Sequence, residues 1–172
     1  MIVLGIDPGL SGGLSLVRNS GSPSLIGSID VPTTGADAKR RVDVAGVLRF
    51  LQFMPIDHAV IERAQAMPDQ GSSSGFAYGR AVGSLEACVQ GMQIPLTIVE
   101  ASAWKRAHGL IKPAGADGKA WSKIVKKNSR QRALHLFPGA PQFARKLDHN
   151  RAESALIAWY GLMLLSPRMA AE

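Results

Sequence analysis

The stretch MIVLGIDPGLSGGLSLV, residues 1–17, decides the expected fold of this chain. Residues 2–6 form a short aliphatic run that ends at Asp7-Pro8-Gly9, a pattern typical of a buried strand followed by a turn. Residues 14–17 predict a second strand, and the Gly12-Gly13 pair before it suits a tight hairpin. The chain is therefore expected to begin with an antiparallel pair of strands.

Beyond this hairpin the sequence alternates between strand and helix patterns. The order predicts an α/β protein in which three early strands form a meander and a mixed sheet carries helices on its faces. The further strands are predicted at residues 25–31, 58–61 and 96–100, and the helices at 42–53, 76–90, 129–137 and about 151–165. Residues 69–75 are expected to form a flexible loop, and residues 112–127 a Lys-rich and Gly-rich connection. Ser129 is the expected N-cap of its helix, and Asp148 or Asn150 that of the last helix.

The composition favours one domain over residues 1–172, since 46% of the 172 residues are hydrophobic. The formal net charge is +7, and it is unevenly distributed. Residues 103–151 hold twelve Lys or Arg against only Asp117 and Asp148, so this stretch carries +10. Clustered cations favour a nucleic-acid partner because they displace condensed counterions, although a solvated face on a basic protein is the alternative.

The only cysteine, Cys88, excludes an intramolecular disulfide and a thiolate-cluster zinc site within one chain. It lies in a helical pattern and is expected to be a buried structural thiol. The N-terminus carries Asp7 and lacks the basic start and long apolar core of a signal peptide. No apolar run approaches the ~20 residues that span a bilayer. We therefore expect a soluble, cytoplasmic protein without a membrane partner.

Four acidic residues occupy positions where chain ends are expected to converge: Asp7, Glu62, Asp148 and Glu153. The first two end predicted strands, and open α/β sheets bind their ligands at the carboxyl ends of strands. Several acids that face one another are tolerable only where cations neutralise them. Mg²⁺ prefers oxygen ligands, and two such ions ~4 Å apart catalyse phosphodiester hydrolysis. The acids therefore predict this reaction.

The spacing at the last helix restricts how these acids can meet. Residues five apart lie on different faces of an α-helix, so Asp148 and Glu153 converge only if Asp148 precedes the first turn. His149 and Asn150 would share the face of Glu153. Each is a candidate ligand or a neighbour of the ligands, with an exposed cap residue as the alternative.

Each acid also has a structural alternative. Asp7 before Pro-Gly is a common turn residue, and Glu62 could form a surface ion pair with Arg63. Asp57 and His58 are interpreted as residues of a turn and a strand start.

Three segments resemble the RuvC-type Holliday junction resolvases of the RNase H-like superfamily. MIVLGIDPGLSGGLSLV resembles the first hairpin of that family, VIERAQAMP its second motif and LDHNRAESALIAWY its third, in family order across nearly the whole chain. The resemblance implies an RNase H-like fold with a five-stranded mixed sheet. It matches Asp7, Glu62, Asp148 and Glu153 to the catalytic and metal-binding acids. It further implies a Mg²⁺-dependent or Mn²⁺-dependent endonuclease whose homodimer nicks opposing strands of a four-way junction.

Two departures from the bacterial housekeeping pattern make the chain more similar to the phage-encoded branch. Gln65 stands three positions after the second acid, where that group often has an aromatic residue. Glu153 replaces the common Asp, and Asn150 stands three residues before it. A bacterial or phage-infected bacterial cell is the expected setting.

The basic stretch is expected to contact DNA phosphates, which position a nucleic acid without reading its bases. The candidate residues are Lys119, Lys123, Lys126, Lys127, Arg130 and Arg132. Trp104 and Trp159 are expected in the core, whereas Trp121 is equally suited to the core and to stacking on unpaired bases.

Three other functions are compatible with the sequence. One is an RNase H-like nuclease that acts on flap DNA or RNA, and another is a non-catalytic DNA-binding protein. An actin-like phosphotransferase also places an Asp near Gly-rich hairpins, but it normally needs a longer, two-lobed chain.

Overall fold

The computed structural model describes residues 1–65 and 71–166 and contains a five-stranded mixed sheet. The strand order is β3-β2-β1-β6-β7. The three N-terminal strands run antiparallel to one another, whereas β6 and β7 run parallel to β1. These strands are β1 (Ile2–Asp7), β2 (Gly13–Asn19), β3 (Pro23–Asp30), β6 (His58–Glu62) and β7 (Leu96–Val99), and a separate small hairpin consists of β4 (Thr33–Thr34) and β5 (Arg41–Val42).

Helices pack on both faces of the five-stranded sheet, as the sequence predicts. They are α1 (Val44–Leu51), α2 (Ser72–Gly91), α3 (Ala101–Ala107), α4 (Gly118–Leu136) and α5 (His149–Leu165). Two apolar cores result, one against α1 and α2 and the other against α3, α4 and α5. Successive residues of a strand point to opposite faces, so Leu4 and Ile6 enter the first core while Val3 enters the second. No described helix is both long and apolar enough to span a bilayer.

The close approach of α5 to β1 depends on glycine. A Cβ at Gly5 would collide with the carbonyl oxygen of Ser154 and with Ala158, and one at Gly161 would lie 2.6 Å from a methyl of Val60. A buried hydroxyl pair then joins α5 to β2, because the Ser15 and Ser154 Oγ atoms lie 2.6 Å apart. The position of α5 over the sheet is therefore closely specified.

Three sequence predictions about the helices need correction. The loop predicted at residues 69–75 is helical from Ser72 onward, and Asp69 and Gln70 lie outside the described residues. The connection predicted at 112–127 is largely helical too, since α4 begins at Gly118, where the Asp117 side chain accepts a hydrogen bond from the Ala120 amide. Ser129 is consequently not an N-cap but a buried residue inside α4.

The short helix α3 is absent from the sequence prediction. Trp104 within it is fully buried, as expected, and Cys88 is a buried free thiol. Trp159 packs edge-on against Phe137 beside the second core, while Trp121 is half-buried.

Candidate functional site

Two of the predicted acids lie side by side at one edge of the sheet. Strands β1 and β6 are parallel neighbours in which Ile6 is opposite Ile61, so Asp7 and Glu62 follow at the matching next positions. Both extend the alternation that points Val3 and Val60 toward the core beneath α5. The sheet register therefore brings the two carboxylates to the same face at the carboxyl ends of the strands.

Helix α5 adds a third acid to this pair. Burial raises the pKa of Glu153, and the charge of Glu62 raises it further, although Lys105, Lys126 and a hydrogen bond from Ser129 oppose the shift. Ser129 Oγ donates that hydrogen bond to Glu153 Oε1 over 3.1 Å. Ser129, which is buried within α4, thus helps to hold Glu153.

The environment of Asp7 shows how closely the three acids are grouped. Burial raises its pKa well above the ordinary value, and the charges of Glu153 and then Glu62 raise it further. Lys105 and Lys126 lower it, but they do not outweigh the other contributions. Among the described residues, Lys105 and Lys126 therefore lower the pKa of Asp7 by less than burial and the two neighbouring acids raise it.

Two lysines and a tyrosine complete the surroundings of these acids. Burial raises the pKa of Tyr78, and the charges of Glu62 and Asp7 raise it further; the Tyr78 side chain lines the same cleft as Asp7. Lys105 Nζ lies 4.9 Å from the centroid of the Trp104 ring. The Trp104 indole N–H donates to Glu62 Oε2 over 2.6 Å, so the buried tryptophan also orients one of the acids.

The donor set fits a hard divalent cation, since three carboxylates from three separate elements repel one another in a partly desolvated site. In the described part of the chain, no three Asp, Glu, His or Cys side chains are already arranged around a common ion position. Glu62 and Glu153 instead bind Trp104 and Ser129.

An open cleft of about 580 Å³ leads to the acids. One wall is the turn between β1 and β2, and the other walls are α2, the Lys126 side of α4 and the start of α5. Asp7 and Glu153 both line it, as do His149 and Asn150. Asp7 and Glu153 are therefore accessible to a ligand from solvent.

Asp148 does not join the other acids, which corrects the predicted four-acid cluster. Its side chain is 2% exposed and accepts hydrogen bonds from the Arg145 backbone amide, at 2.7 Å, and from the Arg145 guanidinium, at 2.8 and 3.0 Å. Burial alone would raise the pKa of Asp148, but these bonds and the nearby Arg151 lower it below the ordinary value. Asp148 occupies the N-cap position of α5 and anchors the preceding turn.

His149 and Asn150 lie where the helix spacing predicts, on the face of Glu153 that borders the cleft. The Asn150 side-chain amide donates a hydrogen bond to the carbonyl oxygen of Ser11. This bond ties α5 to the turn after Asp7. Burial lowers the pKa of His149, and Lys126 lowers it further, although Asp148 opposes the shift.

Four of the six predicted DNA-binding residues line a groove that adjoins the cleft: Lys123, Lys126, Lys127 and Arg130. Lys119 belongs to α4, but its side chain lies outside the described residues. Arg132 is half-buried near His108, and its Nε atom is buried without a hydrogen-bond partner. Four of the six residues thus form a basic surface beside the cleft. Arg132 is turned partly toward the protein interior, and the position of the Lys119 side chain is not described.

The structural alternatives for the other acidic residues are resolved. Arg63 pairs with Glu100, with 2.5 Å between the charged atoms, so the suggested Arg63–Glu62 ion pair is not formed. Gln65 also donates to Glu100. The Asp57 carboxylate accepts a hydrogen bond from the Ile2 amide over 2.6 Å, which makes Asp57 a structural residue at the edge of β1.

Sequence reasoning did not single out Lys105 and Tyr78. Lys105 lies in the basic stretch, but the orientation of its side chain toward the acids depends on helix α3, which the sequence did not predict. Tyr78 is one of only two tyrosines, and its position in the helical pattern of α2 gives no sign that it faces strand ends on the far side of the cleft.

The sheet order, the helices on both faces and the carboxyl-end acids define an α/β protein with an RNase H-like fold. No family model and no curated protein matches the sequence. Among solved structures, Thermus thermophilus RuvC in complex with a Holliday junction substrate is similar with a TM-score of 0.64 and 19% identity, covering 95% of this chain and 96% of that one. A second Thermus thermophilus RuvC structure gives a TM-score of 0.61 and 20% identity with the same coverage. The chain therefore has the RuvC-like form of the fold.

Proposed function

We propose that this chain is a divalent-metal-dependent endonuclease that cuts Holliday junctions and related branched DNA by paired nicking. The observation that carries the proposal is the grouping of Asp7 and Glu153 in an open cleft, with Glu62 at the end of the strand beside Asp7. Charge repulsion among acids is costly for a protein, so a group of this kind is common at metal-dependent sites. Asp148, in contrast, is paired with arginine.

Asp7, Glu62 and Glu153 would hold the metal, with Mg²⁺ as the expected ion and Mn²⁺ as a substitute. When bound, the metal supplies Lewis-acid activation of the phosphodiester and of water. The chain itself contributes orientation and charge. Trp104 and Ser129 hold two of the acids, and Lys126 at the cleft wall is placed to attract the scissile phosphate.

The proposed substrate is supported by charge and by structural similarity. Lys123, Lys126, Lys127 and Arg130 lie in the groove beside the cleft, where phosphates of a bound strand would displace counterions. The similar Thermus thermophilus RuvC structure contains a Holliday junction substrate. From that similarity, we propose branched DNA, and four-way junctions in particular, as the substrate of this chain.

Paired nicking requires two active sites, and α2 offers a surface for a second copy. Gly75, Gly79 and Gly83 lie four residues apart on one face, and a Cβ at any of them would meet nothing within 4 Å. Phe76 beside them is 73% exposed. A homodimer could bury this face with close helix contact, and its two-fold axis would match that of a four-way junction. Kinship with the phage-encoded branch and a cytoplasmic location stay predictions.

The decisive experiment compares wild type with Asp7→Asn on a labelled four-way junction in Mg²⁺. Loss of one ligand should abolish cutting, whereas binding measured in Ca²⁺ should be retained or tighter because repulsion toward phosphate decreases. Asp37→Asn is the matched control, since Asp37 is exposed and its left-handed backbone conformation suits Asn. Normal cutting by Asp7→Asn would remove this residue from the site and contradict the proposal.

The same assay separates the alternatives. Matched four-way, flap, duplex and RNA-containing substrates should show fastest cutting of the four-way form. Preference for a flap or for RNA would identify another RNase H-like nuclease. Tight binding without metal-dependent cutting of any substrate would indicate a non-catalytic DNA-binding protein.

A further inference from the structure

A groove of about 660 Å³ lies beside the metal cleft and is continuous with it, because Lys126 and His149 line both. One side is formed by α4 and the other by the segment that leads into α5. A strand whose scissile phosphate occupies the cleft could therefore continue into this groove.

The groove contains two apolar side chains that the fold does not bury. Leu147 is 78% exposed and Ile124 is 47% exposed, and both line the groove. Neither belongs to the two apolar cores. An apolar pair in the middle of a basic surface reduces solubility without contributing to the core, so it is better explained by a ligand with an apolar face.

Cations surround this apolar pair. Lys123 and Lys127 flank it on α4, and Lys146 does so on the opposite side. Such a ring favours a polyanion and opposes a second basic surface of the same chain. A nucleic-acid strand combines the two required properties, since it carries phosphates at regular spacing and bases with apolar faces.

The groove is already formed in the free chain. The Arg130 guanidinium donates to the carbonyl oxygens of Phe143, at 3.0 Å, and Ala144, at 3.4 Å, and so holds the segment against α4. The hydrogen bonds between Arg145 and Asp148 secure the residues on either side of Leu147. Binding would therefore require little ordering of the protein.

We propose that this groove is a binding site for an unpaired nucleobase, which packs on Leu147 and Ile124 while the surrounding lysines contact the adjacent phosphates. The inference rests on the proposed function and deepens it, since it explains how the protein distinguishes branched DNA from duplex. Bases at a branch point leave the stack at lower cost than bases within a duplex. The groove would stabilise that opened state next to the cutting site.

The test uses the double variant Leu147→Ser/Ile124→Ser in the full chain, with Phe53→Ser as the matched control. Phe53 is 70% exposed and lies in a different surface depression, away from the cleft. Affinities are measured in Ca²⁺ for a junction with an unpaired 2-aminopurine beside the branch and for a plain duplex. We expect the double variant to bind the junction about tenfold more weakly and to leave duplex affinity unchanged. The 2-aminopurine signal that reports unstacking should fall only in the double variant.

A second variant, Lys123→Ala/Lys127→Ala, tests the phosphate contacts. It should weaken junction and duplex binding alike and reduce the salt slope by about one unit per lysine. Equal loss for junction and duplex in the Leu147→Ser/Ile124→Ser variant, or no loss for either, would overturn the base site. A fall in its dimer mass with DNA binding intact would assign the apolar pair to a protein contact instead. These binding measurements do not depend on the cutting assay with Asp7→Asn. Failure of the base site can therefore be distinguished from failure of the nuclease proposal.

Discussion

At the scale of single residues, Asp7 and Asp148 are both removed from solvent, but the charges around them shift their pKa values in opposite directions. Burial and two neighbouring acids raise the pKa of Asp7, whereas the bonds from Arg145 lower the pKa of Asp148 despite its burial. The first arrangement costs stability and the second contributes to it. Under the proposed function, the first arrangement is that of a metal ligand, and the second is that of an acid with a structural role.

Asp7→Asn is expected to stabilise the metal-free protein. Because the folded state binds the Asp7 proton more tightly than the unfolded state, stability falls as pH rises from the ordinary Asp range through the raised pKa. The variant removes this charge and should gain about 1–3 kcal/mol at pH 8, judged by urea unfolding in EDTA. The gain should shrink at pH 5, where Asp7 is more protonated. Equal stability at pH 8 would show that the carboxylate is not destabilised.

Asp148→Asn should have the opposite effect. Its lowered pKa means that stability is present above the ordinary Asp range and is lost as pH falls through the folded value. Arg145 is 68% exposed, so the ion pair itself is screened, and we expect a loss of about 1–3 kcal/mol that includes the backbone hydrogen bond. Thermal unfolding at pH 7 measures it, and junction cutting below the melting temperature should persist. Abolished cutting in a folded variant would return Asp148 to the ligand set.

Trp104→Phe is expected to weaken metal binding more than it weakens folding. The variant keeps an aromatic ring in the core but removes the N–H that donates to Glu62. Groups that orient metal ligands typically contribute 10–100-fold in metal affinity or activity, so the Mn²⁺ dissociation constant should rise about tenfold. Titration calorimetry with Mn²⁺ provides a readout that does not depend on cutting. Trp159→Phe is the control, since Trp159 packs on Phe137, and equal Mn²⁺ affinities in both variants would argue against a positioning role.

At the scale of secondary-structure elements, the sequence predicts best what is locally encoded. The strands near residues 2–6, 14–17 and 58–61 are confirmed because β-branched and aliphatic runs between turn residues have few other stable forms. The start of α4 is missed because Gly115 and Gly118 suggest a loop. The Asp117 cap and the Lys-rich turns that follow it support helix instead. Helix α3 spans only seven residues, which is too short for a helical hydrophobic periodicity to be recognised in the sequence.

Gly5→Ala tests whether the contact between β1 and α5 positions the site. A methyl group here would collide with the Ser154 carbonyl and Ala158, so α5 must move or the variant must unfold more readily. We expect a loss of about 2–4 kcal/mol in urea unfolding, together with reduced Mn²⁺ affinity as Glu153 shifts from Asp7. Gly91→Ala is the control, because it adds the same methyl into open space at the end of α2. Wild-type stability and Mn²⁺ affinity in the Gly5→Ala variant would contradict the packing argument.

At the scale of the whole molecule, the sequence predicts part of the arrangement at the candidate site, while the use of that site for metal stays a prediction. Asp7, Glu62 and Glu153 lie within electrostatic reach of one another because each lies at or near an end of an element whose type and direction are predictable. The sequence places Asp148 with the other acids, whereas in the structure it binds Arg145. This contact joins residues three apart in a turn, where hydrophobic periodicity gives no information. Lys105 and Tyr78 reach the acids only through tertiary packing. Five cations of the +10 stretch line the groove beside the cleft, namely Lys123, Lys126, Lys127, Arg130 and Lys146, and their contact with DNA stays a prediction.

The proposed assembly leads to a last prediction, for Gly79→Arg on the exposed face of α2. Within one chain the substitution meets open space and replaces a poor helix former, so the monomer should fold at least as stably as wild type. In a dimer that buries this face, two arginines would be forced together across the two-fold axis. Sedimentation velocity should then show a monomer, and a supercoiled plasmid with an extruded cruciform should be nicked once rather than linearised. Gly91→Arg adds the same charge at the C-terminal end of α2, eight residues beyond Gly83, and it should leave both mass and linearisation unchanged. A dimer that persists in Gly79→Arg would place the two-fold axis on another surface, because an arginine pair cannot occupy a close helix contact.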